Sequence, residues 1–142
     1  MLQQPLDRLR TNIKTVFLGP DRAVDLLLIG LVARGHVLVE DVPGVGKTVL
    51  ARALAKSIDC KFSRIQLTPD LLPGDVLGVS IYNQATQAFD FKPGPIFANI
   101  VLADEINRTT PRTQSALLEA MSEEQVSVEN LTLPLKRPFM VV

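Results

Sequence analysis

The chain has 142 residues, with 15 Lys and Arg, 15 Asp and Glu, 46% hydrophobic and 21% charged residues. This length is enough for one domain with a real apolar core and is short for two domains. Because the formal net charge is zero, no overall field attracts the chain to nucleic acid or to an anionic membrane. The single cysteine, Cys60, excludes an internal disulfide and is typical of a reducing compartment, so we expect a cytoplasmic protein.

The N-terminal third predicts two helices. Apolar residues at helical spacing favour one helix over residues 5–17, and the Gly19-Pro20 pair ends it. A second helix is predicted over residues 21–34. Its apolar run, residues 26–33, is much shorter than the roughly 20 residues that cross a bilayer.

Residues 36–58 predict a strand, a glycine loop and a helix in that order. HVLVE at 36–40 is a short apolar run suited to a buried strand, and TVLARALAKSI at 48–58 has a helical pattern. The loop between them, within DVPGVGKT at 41–48, indicates a phosphate site, because glycines let backbone N–H groups approach the phosphate oxygens. We expect the cofactor contacts to come from Pro43, Gly44, Val45, Gly46, Lys47, Thr48 and Val49.

In this interpretation Lys47 reaches the outer phosphates and is counted with the catalytic residues, while the Thr48 hydroxyl ligates Mg²⁺. Asp41 stands where the pattern G-x-x-x-x-G-K-[ST] has its first glycine, at the start of the loop. The alternative is an ordinary glycine-rich turn before a helix, with Lys47 in solvent.

The second half continues the alternation of strands and helices. Strands are predicted at 62–66 and 100–103, and a helix follows with Thr110 as its N-cap and Pro111 at its first position. Hairpins are predicted around residues 83–86 and across 126–135, and the final residues read as a strand. Two continuously apolar strands among helices favour an α/β fold with a parallel sheet covered on both faces.

Two carboxylates follow the apolar strand in IVLADE, residues 100–105. Asp104 is predicted to hold Mg²⁺ through the water shell of the metal, and Glu105 to polarise the attacking water as general base. Ligands collect at the carboxyl ends of strands in open α/β sheets, so both motifs are expected at one sheet edge. The alternative is an acidic turn that caps the next helix.

The segments that carry these motifs resemble the MoxR family of AAA+ ATPases. They are GHVLVEDVPGVGKT, RIQLTPDLLPGDVLG, FKPGPIFANIVLADEINR and TPRTQSALLEAMSEEQV, and the likeness extends from about residue 16 onward. Asp41 in place of glycine is similar to the wording usual in that family. The resemblance implies a P-loop NTPase three-layer sandwich of AAA+ type across residues 1–142, with residues 67–98 as the helix-2 insert.

The resemblance also implies ATP as substrate, Mg²⁺ as cofactor and a ring, usually a hexamer. Family members act as chaperone-like remodellers, often with partners that carry von Willebrand factor A domains. In the family, a polar sensor residue, an arginine finger, a fifth strand and a helical lid follow the region that ends here at Val142. We therefore expect a core that is incomplete at its C-terminus, with four of five strands, and weak or no ATPase activity from these residues alone.

Three functional classes stay open from the sequence. The first is a Mg²⁺-dependent ATPase that does conformational work on a protein. The second is a nucleotide-binding module that holds ATP without efficient hydrolysis; Glu105 argues against it, because a pure binder needs no carboxylate at the attacking water. The third is a DNA-acting motor, which the neutral charge and the absence of a basic, aromatic-rich tract disfavour.

Overall fold

The computed structural model describes residues 3–40 and 46–142. The chain divides into two compact units, and the division falls inside two strands, between residues 64 and 65 and between residues 102 and 103. The first unit comprises 1–64, 98–102 and 137–142, and the second comprises 65–97 and 103–136.

Three helices belong to the first unit: α1 (Gln3–Lys14), α2 (Asp21–Val32) and α3 (Lys47–Ser57). All three predicted helices are confirmed, although α1 ends three residues before the predicted end. At this end the Thr15 hydroxyl and backbone N–H both bond the carbonyl of Asn12, at 2.6 and 3.2 Å. A hydroxyl that competes for a helix carbonyl favours termination, and Phe17 lies beyond the helix as a buried residue.

A three-stranded sheet contains β1 (Phe62–Gln66), β4 (Ile100–Asp104) and β7 (Met140–Val141), in the order β1-β4-β7. Strands β4 and β7 are parallel, with Ile100 opposite Met140 and Val101 opposite Val141. The predicted mixed α/β class with a parallel sheet is confirmed. The predicted fourth core strand is wrong for the described residues, because residues 36–40 form no regular strand.

Between residues 36–40 and β7, a side chain takes the place of a backbone hydrogen-bond acceptor. The Val37 N–H donates to the carbonyl of Val141 at 3.1 Å, as a fourth strand would require. The Val141 N–H, however, donates to Nδ1 of His36 at 2.9 Å. Because an imidazole nitrogen takes this N–H in place of a backbone carbonyl, the ladder does not continue on this side of the bond from Val37. Residues 36–40 therefore lie beside β7 as an irregular segment.

The core of the first unit is formed by apolar side chains from its three helices and its strands. The helices contribute the largest share, and Val37, Val39 and Phe62 pack against this core from its margin. The members are Ile13, Phe17, Val24, Leu27, Leu28, Leu50, Ala51, Ala53, Leu54, Ala55, Ile100, Leu102, Met140 and Val142.

The second unit holds two hairpins and two helices. Strands β2 (Gly78–Asn83) and β3 (Ala88–Pro93) form the first hairpin, and β5 (Gln125–Val128) and β6 (Leu131–Pro134) form the second. Both predicted hairpins are confirmed. Helix α4 (Pro73–Leu77) precedes β2 and was not predicted, whereas helix α5 (Pro111–Glu123) begins at the predicted residue. Assignment of residues 67–98 to a helix-2 insert stays a prediction.

The start of α5 follows the capping chemistry predicted for it. Thr110 has extended backbone angles, and its hydroxyl accepts from the N–H of Thr113 at 3.4 Å. Pro111 occupies the first helical position, where a missing N–H costs nothing. In the part of the chain that the structure describes, no helix is both long enough and apolar enough to cross a membrane.

Asn99 connects the beginnings of the three strands. Its Oδ1 accepts from the Lys61 N–H at 3.1 Å, and its Nδ2 donates to the carbonyl of Pro138 at 2.9 Å. The backbone N–H of Asn99 also donates to the carbonyl of Lys61, and its carbonyl accepts from the N–H of Met140. One side chain therefore joins the segments that enter β1 and β7.

We predict that Asn99→Ala lowers the free energy of unfolding by about 1–3 kcal/mol, because two backbone groups lose their side-chain partner. Unfolding in urea, followed by circular dichroism, measures this change. Gln4→Ala, at an exposed position of α1, is the control and should change stability by less than about 0.5 kcal/mol. An equal effect of the two substitutions would contradict the role of Asn99.

Candidate functional site

Helix α3 begins directly after the glycine loop. Gly46 is its N-cap and has φ 84° and ψ 23°, in the left-handed region that glycine adopts without steric cost. The carbonyl of Gly46 accepts from the N–H of Leu50 at 2.9 Å, which is the first hydrogen bond of the helix. Lys47 and Thr48 are half-buried in the first turn, and Val49 is exposed. The rest of the predicted phosphate loop, with Pro43, Gly44 and Val45, lies outside the described residues.

This helix start has the electrostatic character of an anion site. The first N–H groups of a helix have no partner within the helix, and the helix dipole adds a partial positive charge there. No side chain caps this end, since the cap residue is glycine. The buried ring of Phe17 lies beneath it: a Cβ placed on Gly46 would be 3.6 Å from Phe17 Cε1. The described half of the loop can therefore present N–H groups, an ammonium and a hydroxyl to an anion.

Asp104 and Glu105 stand where β4 changes from buried to accessible. Ile100, Val101 and Leu102 are buried, Asp104 is half-buried and Glu105 is exposed. The carbonyl of Asp104 accepts from the N–H of Leu67 at 3.0 Å, which fixes the end of the strand. Glu105 has φ 58° and ψ 54°, a left-handed conformation that is uncommon for a residue with a side chain.

One oxygen of the Glu105 carboxylate accepts a hydrogen bond from an amide and forms an ion pair with a guanidinium. Gln66 Nε2, at the end of β1, is 3.3 Å from Glu105 Oε2. Arg108 Nη1 is 3.4 Å from the same oxygen. The Glu105 side chain is 39% exposed, so this ion pair is screened by water and its role is to orient the carboxylate more than to stabilise the fold.

The ion pair follows from the local backbone. Residues Ile106–Arg108 form a 3₁₀ turn, and the Arg108 N–H donates to the carbonyl of Glu105 at 3.0 Å. In this kind of turn the side chains of residues i and i+3 lie above one another. Arg108 therefore pairs with Glu105. Gln66 could have been suspected, since it is polar and ends the strand that precedes β4 in the chain.

The first turn of α5 holds the two segments that flank Glu105. The hydroxyl of Thr113, which is completely buried, donates to the carbonyl of Leu71 at 2.8 Å. Gln114 Nε2 donates to the carbonyls of Ile106 and Thr109, at 3.0 and 3.2 Å. Sequence reasoning missed Gln114 because both of its acceptors are backbone groups, which leave no pattern in the sequence.

The predicted site residues fall in both units. Lys47 and Thr48 belong to the first unit, and Asp104 and Glu105 to the second. Lys47, Thr48 and Asp104 are half-buried, and Glu105 is exposed. Their joint action on one nucleotide stays a prediction.

Cys60 and the remaining acidic groups offer no second centre in the described ranges. Burial, and to a smaller extent the neighbouring Asp59, raises the pKa of the Cys60 thiol, so the thiol is protonated at neutral pH and is a poor nucleophile. Residues 3–40 and 46–142 contain no cluster of three or more His, Cys, Asp or Glu side chains placed to hold a metal ion. A Mg²⁺ ion held by one carboxylate, one hydroxyl and phosphate oxygens does not need such a cluster.

Comparison with known proteins agrees with the motifs. Residues 36–142 match the family described as the ATPase family associated with various cellular activities (AAA). The chain is 61% identical over 131 residues to the uncharacterized protein YeaC of Bacillus subtilis, covering 92% of this chain and 41% of that protein. It is 47% identical over 137 residues to Chaperone MoxR1 of Mycobacterium tuberculosis, covering 96% of this chain and 36% of that protein.

A solved structure shows the same fold. The crystal structure of a Cytophaga hutchinsonii protein superposes with a TM-score of 0.76 at 44% identity, covering 99% of this chain and 44% of that chain. The chain thus spans less than half the length of these relatives. The family match covers most of the chain, and the relatives agree with it. The chain belongs to the AAA ATPase family, in its MoxR-type branch.

Proposed function

We propose that this chain is the ATP-binding and Mg²⁺-dependent ATP-hydrolysing core of a MoxR-type, chaperone-like remodelling ATPase. The observation that carries the proposal is the accessible Glu105 carboxylate, which is held by two donors directly after a buried strand. An accessible acid at the carboxyl end of a buried strand is placed where ligands collect in open α/β sheets.

In this proposal the nucleotide binds at the start of α3. The first-turn N–H groups and the Lys47 ammonium would neutralise phosphate oxygens, and Thr48 would present its hydroxyl to the metal. Exposed apolar side chains lie close in sequence to the proposed phosphate site. They are Val49, and Val16 and Leu18 on either side of the buried Phe17. The choice of ATP over other nucleotides rests on the family.

The oxygen donors suit magnesium. Mg²⁺ prefers hard oxygen ligands and keeps several waters, so the Thr48 hydroxyl and the half-buried Asp104 carboxylate fit it by their chemistry. When bound, the ion would neutralise the charge that develops on the phosphates. Asp104 would orient the metal's water molecules through its carboxylate.

In this proposal Glu105 is the general base for hydrolysis. Its carboxylate would accept a proton from a water molecule as the water oxygen attacks the γ-phosphorus and the bond to the β–γ bridging oxygen breaks. Inorganic phosphate and ADP then leave. The two donors on Oε2 leave Oε1 as the oxygen that is free to face water in this scheme.

The wider function follows from the relatives. MoxR1 of Mycobacterium tuberculosis is named a chaperone, which supports a remodelling role for this protein. Membership of the AAA family supports assembly into a ring, for which we expect a homo-hexamer, and a protein with a von Willebrand factor A domain as possible partner stays a prediction. A cytoplasmic location also stays a prediction.

The alternative is a nucleotide-binding module that holds ATP without efficient hydrolysis. One observation favours it: Gln66 and Arg108 already contact Glu105 Oε2, so this oxygen is occupied by protein groups and not by a water molecule.

We predict that Lys47→Ala raises the dissociation constant of Mg·ATP by about 10- to 100-fold, because it removes charged hydrogen bonds to phosphate. Isothermal titration calorimetry measures the constant. Lys56→Ala, which removes the same charge from the exposed last turn of the same helix, is the matched control and should leave binding unchanged. Unaltered binding in Lys47→Ala would refute the phosphate site.

We predict that Glu105→Gln lowers kcat for ATP hydrolysis by about 100-fold or more, because the amide cannot accept the proton, while Mg·ATP still binds. Phosphate release by the whole polypeptide that carries this chain is the measurement, and Glu123→Gln, an exposed carboxylate on α5, is the control. Turnover equal to that of the wild type would exclude Glu105 as the base. A wild-type protein that binds Mg·ATP without turnover would favour the binding module.

A further inference from the structure

Two consecutive residues of helix α5 hydrogen-bond two chain segments close to Glu105. Thr113 bonds the segment that follows β1, through the carbonyl of Leu71. Gln114 bonds the segment that follows β4, through the carbonyls of Ile106 and Thr109. The two residues that contact the Glu105 carboxylate lie next to these bonds: Gln66 is the last residue of β1, directly before the first segment, and Arg108 lies within the second.

From this arrangement we propose that Gln114 is a positioning residue for Glu105. The proposal rests on the proposed function, in which Glu105 is the general base. Gln114 does not touch the carboxylate; it fixes the 3₁₀ turn from which Glu105 and Arg108 project, and thereby sets the direction in which the carboxylate faces.

The backbone of Glu105 explains why this turn needs an external hold. A left-handed conformation costs a residue with a side chain about 1 kcal/mol or more, so a relaxed turn would move Glu105 toward a common conformation. Within the turn, the hydrogen bond from Arg108 to the Glu105 carbonyl spans only three residues, which gives poor geometry.

Gln114 supplies the hold because its own position is rigid. Its backbone N–H donates to the carbonyl of Thr110 at 3.0 Å, so it lies within the regular part of the helix. The helix start is capped by Thr110 and anchored by the buried Thr113. One NH₂ group then donates to two carbonyls at the two ends of the turn, since an amide nitrogen carries two hydrogens.

Two variants of Gln114 test whether its N–H donors are needed. Gln114→Leu keeps a similar volume and removes the donor. Gln114→Glu keeps the length and replaces the donor by a charged acceptor that faces two carbonyl oxygens. Ser115→Ala, the next and exposed residue of α5, is the matched control.

The test measures kcat, the dissociation constant of Mg·ATP and amide hydrogen exchange on the whole polypeptide. We expect both Gln114 variants to lower kcat by about 10- to 100-fold, because a displacement of about 1 Å can cost this much, with binding within about twofold of wild type. Exchange should become faster in peptides that cover residues 105–109 and stay unchanged in α3. Ser115→Ala should match the wild type in all three measurements.

The possible failures are distinguishable. If Glu105→Gln abolishes turnover and both Gln114 variants retain the wild-type kcat, this inference is wrong and the proposed function stands. If Glu105→Gln itself has no effect, the proposed function fails first. A parallel loss of binding and turnover, faster exchange throughout the chain, or loss of a cooperative thermal melt in both Gln114 variants would make Gln114 a general stability residue and would overturn the proposal.

Discussion

The burial of β4 is the constraint on which the candidate chemistry depends. Ile100 and Val101 are completely buried and Leu102 nearly so, and each such side chain contributes about 1.5–3 kcal/mol when it leaves water. Asn99 fixes the start of the strand, and the bond between the Asp104 carbonyl and Leu67 fixes its end. Because the apolar residues cannot shift along the sheet without exposing themselves, the point at which the strand reaches water is also fixed. Asp104 and Glu105 occupy that point.

The sequence predicted those features whose causes are local. Thr110 and Pro111 form a helix start wherever they precede a helical pattern, and the two hairpins follow from alternation around short polar turns. The strand at residues 36–40 was predicted wrongly because its pairing depends on residues far along the chain: the ring of its own first residue, His36, accepts the Val141 N–H in place of a backbone carbonyl. Gln114 was missed for a similar reason. Its partners are carbonyls, which every residue carries, so only the folded structure shows where its amide group points.

The surroundings of Glu105 combine accessibility with restraint. Gln66 Nε2 and Arg108 Nη1 lie 3.3 and 3.4 Å from the same carboxylate oxygen, Oε2. Because both contacts reach one oxygen, they restrict the direction of the carboxylate, while the side chain stays 39% exposed. The general base that we propose needs both properties.

This arrangement bears on whether the protein hydrolyses ATP or only binds it. The phosphate binding that we propose would use the start of α3, with Gly46, Lys47 and Thr48, and would not need the Glu105 carboxylate or its left-handed conformation. Such a conformation persists only where the surrounding structure enforces it, and here Gln114 provides two hydrogen bonds that do so. Five other non-glycine residues of the described chain, Arg34, Asp59, Gln87, Glu124 and Glu129, also have positive φ, so the conformation alone does not mark a functional residue. What supports the proposed hydrolysis is the combination of this conformation with an accessible carboxylate directly after a buried strand.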